Sequence, residues 1–326
     1  MKPQFQHTLV TSFYLWFDNY LQKNGEAYKN KTGIFYNMTD DRLDSTYNVY
    51  SSPYKQFVFD SGLHTNVPSD GAQGTEGAIV IDRISGRRED GSAFEITRGT
   101  SGLHIDYENG RVFFTGNPVA GDDYGKLPGN ALSNDGHYAL SGQFAVKDFN
   151  LYVTNQTEED LIIEKFKINN RFGNLETSGV APYDQVLPAV FITSESINNQ
   201  PFAFGGLDVT KTNVKAVVMT SDLYCLDCVL SMAADAKKRS FAEVGFAGFP
   251  TTELGDIKSA TESYHVNTYP TGYSYNQIET DNTSELFHIE EVNVSKLSDR
   301  VKKKVNPDIF VGFVDFEIHK YRRPRG

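Results

Sequence analysis

Along residues 9 to 24 the apolar positions recur at helical spacing: Leu9, Phe13, Trp16, Phe17, Tyr20 and Leu21 share one side, while Asp18, Asn19, Gln22 and Lys23 take the other. Asn24-Gly25 supplies a stop. The pattern predicts an amphipathic helix of about four turns with a heavily aromatic face. That face has two destinations, the chain's own sheet or a partner subunit's groove. On the second reading Phe13, Trp16, Phe17 and Tyr20 are interface candidates.

Beyond the helix the patterning shortens to strand-like runs separated by turn residues. Strands are expected at 55–59 and 78–81, and at 103–107 answered by 111–114 across Glu108-Asn109-Gly110. Asn-Gly favours the positive φ angles of a type I′ turn, so a hairpin is expected there. Residues 144–153 read as one strand and 161–168 as its hairpin partner across a turn at 155–158. The second half adds strands at 189–192 and 214–219. Ser221 and Asp222 then offer a cap for a helix to about residue 238, with Leu226, Val229, Leu230 and Ala233 on its inner face and Lys237, Lys238 and Arg239 near its C-terminal dipole. Strands at 288–294 and 309–321 close the chain, the last with Phe310, Gly312, Val314, Phe316, Ile318 and Lys320 on one face.

Runs of strands with two helices predict an α+β, mainly antiparallel β chain: a β-sandwich or barrel-like core with an N-terminal amphipathic helix and one further helix near 222–238. The expected division is the N-terminal helix over 1–27, a β-rich domain over 28–175, and a second β-rich portion over 176–326. The first domain carries a Gly-, Asp-, Asn- and Pro-rich loop at 115–137, of a length that is usually functional.

Composition adds an assembly flavour to this picture. Twenty-three Phe and 18 Tyr against a single Trp suit strands, and Tyr also suits contact surfaces. A net charge of −11 disfavours nonspecific binding to nucleic acid or anionic lipid, and no sequence-specific nucleic-acid partner is indicated. Positive charge is local, at Arg300 and Lys302 to Lys304 and in a tail with Lys320, Arg322, Arg323 and Arg325. The tail is either a solvated terminus or a docking element for an acidic partner surface, which makes Arg322, Arg323 and Arg325 interface candidates. No apolar stretch approaches the ~20 residues that span a bilayer, and no basic segment leads into an apolar run at the N-terminus, so neither a membrane partner nor export is expected.

Candidate chemistry is sparse. Cys225-Leu226-Asp227-Cys228 has the spacing of a redox pair or half a zinc site, but there is no second Cys pair or His pair to complete four ligands, and two structural thiols are the plainer reading. Seven histidines are scattered singly, and neither a G-x-S-x-G nor an H-E-x-x-H pattern occurs. Among the acidic doublets, Asp122-Asp123 in the long loop is the one to watch for a cation or an interface; neighbours on a strand point to opposite faces. The residues thus predict no catalytic, cofactor or metal site and no enzyme activity.

Residues 11–21 (TSFYLWFDNYL), 149–155 (FNLYVTN) and 306–313 (NPDIFVGF) resemble uncharacterised virion structural proteins of tailed bacteriophages. The resemblance implies a subunit of a homo-oligomeric ring at the neck, where head meets tail, in the company of portal, connector or tail proteins. It implies location in the virion after synthesis in the bacterial host cytoplasm. The alternative is a baseplate or tail-fibre type protein that contacts host surface glycans through the Tyr-rich text of residues 264–275.

Overall fold

The computed structural model of the chain describes residues 5–38, 43, 47–63, 77–87, 93–98, 103–115, 140–163, 168–169, 185–203, 207–245, 248–258, 272–281, 285–298 and 308–322. It is an α+β protein in which strand outweighs helix and antiparallel sheets curl into near-barrels. Helix α1 (Phe5–Gly25) is followed by β1 (Tyr28–Met38), β2 (Tyr47–Ser51), β3 (Arg83–Arg87), β4 (Ala93–Thr97), β5 (Leu103–Asp106), β6 (Arg111–Thr115) and β7 (Leu140–Lys147), which form a seven-stranded sheet in the order β4-β3-β7-β1-β2-β6-β5.

The chain changes sheets at Asp148-Phe149. Strand β8 (Asn150–Val153) precedes helix α2 (Glu158–Ile163) and the short parallel pair β9 (Ile168–Asn169) and β10 (Gln185–Val186). Strands β11 (Ala189–Ala203) and β12 (Leu207–Thr220), helix α3 (Leu223–Ala234), β13 (Ser240–Ala242), helix α4 (Tyr275–Asp281), β14 (Leu286–Lys296) and β15 (Phe310–Arg322) follow. The second sheet has six strands in the order β13-β14-β15-β12-β11-β8. Every pair in it is antiparallel except β11 with β8.

Two sequence expectations are replaced by a different local structure. Residues 144–153 are two strands in two sheets rather than one, because the chain turns at Asp148, whose N–H reaches Ala27 O at 2.9 Å, and Asn150 Nδ2 then anchors to Val186 O at 2.9 Å. Residues 158–163 are helical and Ile168 pairs with β10, so among the described residues the expected hairpin partner at 161–168 is not seen, and β8 pairs instead with β11. Thr157 explains the helix. Its hydroxyl accepts the Asp160 N–H at 3.2 Å and donates to the Asp160 carboxylate at 2.8 Å, and three acids in the first turn complement the dipole. Leu161 then covers the outer face of the second sheet beside Phe191, Met219 and Val311.

The β5–β6 hairpin forms where expected, with a different turn. Asp106 pairs with Arg111 across a four-residue loop, and only Gly110 takes positive φ, at 64°. Asp106 organises the loop by accepting the Asn109 N–H at 3.0 Å and its amide at 2.8 Å. A side chain at 110 is excluded twice, by the backbone conformation and because a Cβ would lie 2.1 Å from Tyr54 O. Residues 55–59, with one bridge from Phe57 to Val146, and 78–81, where Ile79 O accepts the Ala145 N–H, lie beside β7 and are not strands. The loop at 115–137 lies outside the described residues beyond Thr115.

Helix α3 begins on the expected cap. The Asp222 carboxylate accepts the Tyr224 N–H at 2.9 Å, and Leu226, Val229, Leu230 and Ala233 are buried against β15 at Gly312, where any Cβ would press on Leu226 and Leu230. It ends at Ala234, earlier than expected. Lys237 and Lys238 leave it to pair with Glu291 and Glu290 of β14.

One apolar core joins both sheets to α1. Phe13 and Phe17 meet Phe316 of β15, and Trp16 stacks on Phe241 of β13 with centroids 5.4 Å apart. The opposite side of α1 is buried too, against the expectation that it faces water. Asp18 meets Lys147 at the end of β7 at 2.8 Å, Asn19 Nδ2 donates to Asp60 at 2.8 Å, and Gln22 is buried beside them in the helix. Lys23 stays exposed and donates to Asn276. Among the described residues no helix is long and apolar enough to cross a membrane.

Candidate functional site

The six-stranded sheet is long at its centre and incompletely covered at both sides. Strand β8 pairs with β11 only over Ala189 to Ile192, and among the described residues nothing pairs with the rest of that edge. At the other side β13 covers β14 from Leu286 to His288, Ile289 still bonds to the 238–239 backbone, and among the described residues nothing pairs with Glu290 to Lys296 along that edge. Unpaired strand edges present rows of N–H and C=O groups that template another chain.

Each edge has a defined length. On β11 it runs from Thr193 to Gln200, eight residues, and stops at Pro201, which has no N–H to give. Each edge also carries one bulge, between Ser194 and Ile197 on β11 and between Ile289 and Glu291 on β14. Bulges sharpen the local twist, so a flat strand fits neither edge.

The two edges share an apolar signature. Ile197 is 41% exposed on β11 and Val294 is 43% exposed on β14. Ile197 is in register with Thr212, which is in register with the buried Ile318, and Val294 is opposite the buried Val314. Directly opposed side chains share a face, so both residues lie on the core side of the sheet at its two margins. On the outer face Lys215 gathers Glu158 and Glu195 at 2.8 Å each. Burial opposes its charge, and the two carboxylates outweigh that, so its pKa is raised.

At the step where β8 ends, a cleft of about 760 Å³ opens between the first turns of α1, β8 and β11. Its walls include Gln6, Tyr14, Gln56, Val153, Ser194 and Phe249. The Asn150 and Thr154 N–H groups bond toward β11, so by strand alternation the backbone groups of Leu151 and Val153 point the other way. The Gln56 side-chain amide occupies the Leu151 position like a short strand, donating to Leu151 O at 2.8 Å and accepting its N–H at 2.9 Å. Val153, 56% exposed, continues that edge into the cleft. Within the wall, burial first and then Asp18 and Glu108 hold the Tyr14 phenol well above its ordinary range, so it stays protonated.

Acid–base pairs lie elsewhere. Asp256, buried, accepts from Arg98 at 2.8 Å and meets His104 Nδ1 at 3.1 Å, and His104 stacks on Phe113. This ties the β5–β6 hairpin to the 248–258 segment. Among the described residues no three His, Cys, Asp or Glu side chains converge as a metal site requires. Cys225 and Cys228 are free thiols on α3. Burial and the neighbouring Asp222 push the Cys225 thiol up, the opposite of what a redox nucleophile needs.

The structure separates the sequence candidates. Phe13, Trp16, Phe17 and Tyr20 are all buried in the chain's own core, so their rings serve the sheet and not a partner's groove. Arg322 ends β15 and reaches Asn199 on the bare part of β11 at 2.9 Å, with its guanidinium over Phe5. Asp122, Asp123, Arg323 and Arg325 lie outside the described residues, as do Arg300 and Lys302 to Lys304. Of the Tyr-rich text, Tyr273 and Tyr275 are buried. The bare edges went unseen in the sequence, where the one available signal was the isolated Ile197 in polar text closed by Pro201. No family model matches this chain, and no curated protein matches it in sequence.

Proposed function

We propose that this chain is a structural subunit of a tailed-phage particle, a homo-oligomeric ring component at the neck that joins head to tail alongside portal, connector or tail proteins. The observation that carries the reading is the pair of different bare edges on opposite sides of one sheet. Contacts between unlike surfaces are heterologous, and heterologous contacts close into rings when the rotation between copies permits. The resemblance of residues 11–21, 149–155 and 306–313 to phage virion proteins supports the same reading, as does a net charge of −11, which keeps a ring lumen from gripping DNA. In this reading the subunit works by binding, carries out no catalysis, and resides in the virion.

The glycan-binding alternative draws on residues 264–275, where stacking on a sugar needs presented rings. Tyr273 and Tyr275 are not available for that. The deciding experiment is native mass spectrometry with negative-stain imaging of the full chain, alone and mixed with portal and connector proteins. Rings of fixed copy number are expected. A chain that stays monomeric at every concentration and in every mixture overturns the proposal.

A further inference from the structure

We infer that successive copies join by strand pairing, the bare edge of β11 in one copy hydrogen-bonding antiparallel to the bare edge of β14 in the next, so that the six-stranded sheets become one continuous sheet. The inference deepens the ring reading and rests on it.

Direction comes first. From β14 to β11 every neighbouring pair in the sheet is antiparallel, so across four strands β14 and β11 run in opposite senses. When a second copy is placed beside the first with its sheet facing the same way, its β14 meets β11 antiparallel, the commoner and more stable pairing. The same placement cannot bring β11 to β11. Like-with-like contact requires a two-fold axis and ends at a dimer.

Length and ends agree with this. The eight residues of β11 from Thr193 to Gln200 face the seven of β14 from Glu290 to Lys296. β8 stops one end of the joint and β13 of the incoming copy stops the other, while Pro201 ends the hydrogen-bonding run on the β11 side. Within a single sheet the two bare stretches are not level: Thr193 stands in line with Asn293 through Lys215 and Asp315. Pairing them along their full length therefore shifts each copy along the strand direction. A shift of this kind tilts strands relative to the ring axis, as shear does in a barrel.

The side chains supply selectivity. Ile197 and Val294 are the large apolar residues left exposed on these edges, and both lie on the core side of the sheet. The joint brings them together and carries the apolar face from one copy into the next. Both strands are bulged, so each edge suits a partner bent in the same manner and rejects a flat strand. Arg322, anchored to Asn199, sits at the end of the joint where the incoming Glu290 and Glu291 arrive.

The test is a disulfide across the joint. Cys225 and Cys228 are replaced by Ser, and Ile197→Cys and Val294→Cys are introduced singly and together. Opposed strand residues hold their Cβ atoms about 5 Å apart, within reach of a disulfide after small adjustment. Both positions are half-exposed, so the variants are expected to keep the fold, checked by circular dichroism. Under mild oxidation in assembly conditions the double variant is expected to give a ladder of covalent multimers up to the ring size, and the single variants none. Rings by native mass without a ladder overturn the strand pairing and leave the ring reading standing. A covalent dimer from Ile197→Cys or Val294→Cys alone shows a two-fold contact and overturns the head-to-tail joint. Monomers throughout overturn both proposals.

Discussion

Helix α1 meets the six-stranded sheet through Phe13, Trp16 and Phe17 and meets the other layer through Asp18 and Asn19, and both contacts are buried. The aromatic side needs only shape and area, since stacked and edge-on rings between 4.9 and 5.5 Å apart gain by leaving water. The polar side needs partners, because a buried charge or amide that loses water must recover its interactions inside. Lys147 answers Asp18 with both carboxylate oxygens within 2.9 Å and lies over the Phe59 ring, and Asp60 answers Asn19. One helix thus spans two layers by two unlike means. The apolar seam tolerates changes one residue at a time, and the ion pair of the polar seam tolerates change only when both partners change together.

Breaking either seam is expected to cost a similar amount for different reasons. Phe13→Ala should lose about 3–5 kcal/mol through the cavity it leaves among Phe17, Phe241 and Phe316, measured by urea unfolding. Lys147→Met should lose about 3–5 kcal/mol because it strands the Asp18 carboxylate in the interior. The comparison sharpens in the double variant Asp18→Leu, Lys147→Met, which should recover most of that loss, since an apolar pair replaces a costly ionic one. If the double variant is as unstable as the single, the seam is held by something other than the pair.

Asp60 makes the polar seam sensitive to pH. Burial pushes its carboxyl up from 3.8 to about 6, against the hydrogen bonds from Asn19, Gly62 and Tyr275, and nearby Asp18 adds to the rise. A raised carboxyl favours the protonated fold, so the stabilisation is full below about pH 4 and disappears as pH rises through about 6. The rise corresponds to about 3 kcal/mol across that window. Asp60→Asn should flatten the stability difference between pH 4 and 7; an unchanged slope would remove Asp60 from the account.

The smallest effect is expected at Gln22, whose amide nitrogen and oxygen have no hydrogen-bond partner among the described residues although the side chain is buried. Gln22→Met keeps the volume and removes the desolvated amide. It should raise stability by roughly 1 kcal/mol, read as a shift in the urea midpoint without a change of slope.

Local patterning carried much of the fold. The 3.6-residue period marked α1 and the inner face of α3, Asp222 marked the start of α3, strand-like runs marked β12 and β14, and the period of two marked β15. It failed where short-range chemistry competes with period. At 161–168 the apolar text suggested a strand after a turn at 155–158, but Thr157 and three acids made a helix terminus over 158–163. At 148–149 the text read on as one strand from 144 to 153 while the chain changed sheets. The polar face of α1 misled for a more general reason: a pattern shows which side is unlike the other, and only the presence of a second layer decides whether that side meets water.

The candidate surface was the least legible part. By itself the sequence determined an α+β chain rich in antiparallel strands, its principal helices, and the place of the hairpin at Gly110, because each depends on neighbours a few residues apart. The tertiary structure alone decided that β8 stops at Val153 while β11 runs on to Ala203, and that β13 stops while β14 runs on to Lys296. A bare edge is a mismatch between the lengths of strands far apart in the chain, and no local pattern records the length of a partner not yet chosen.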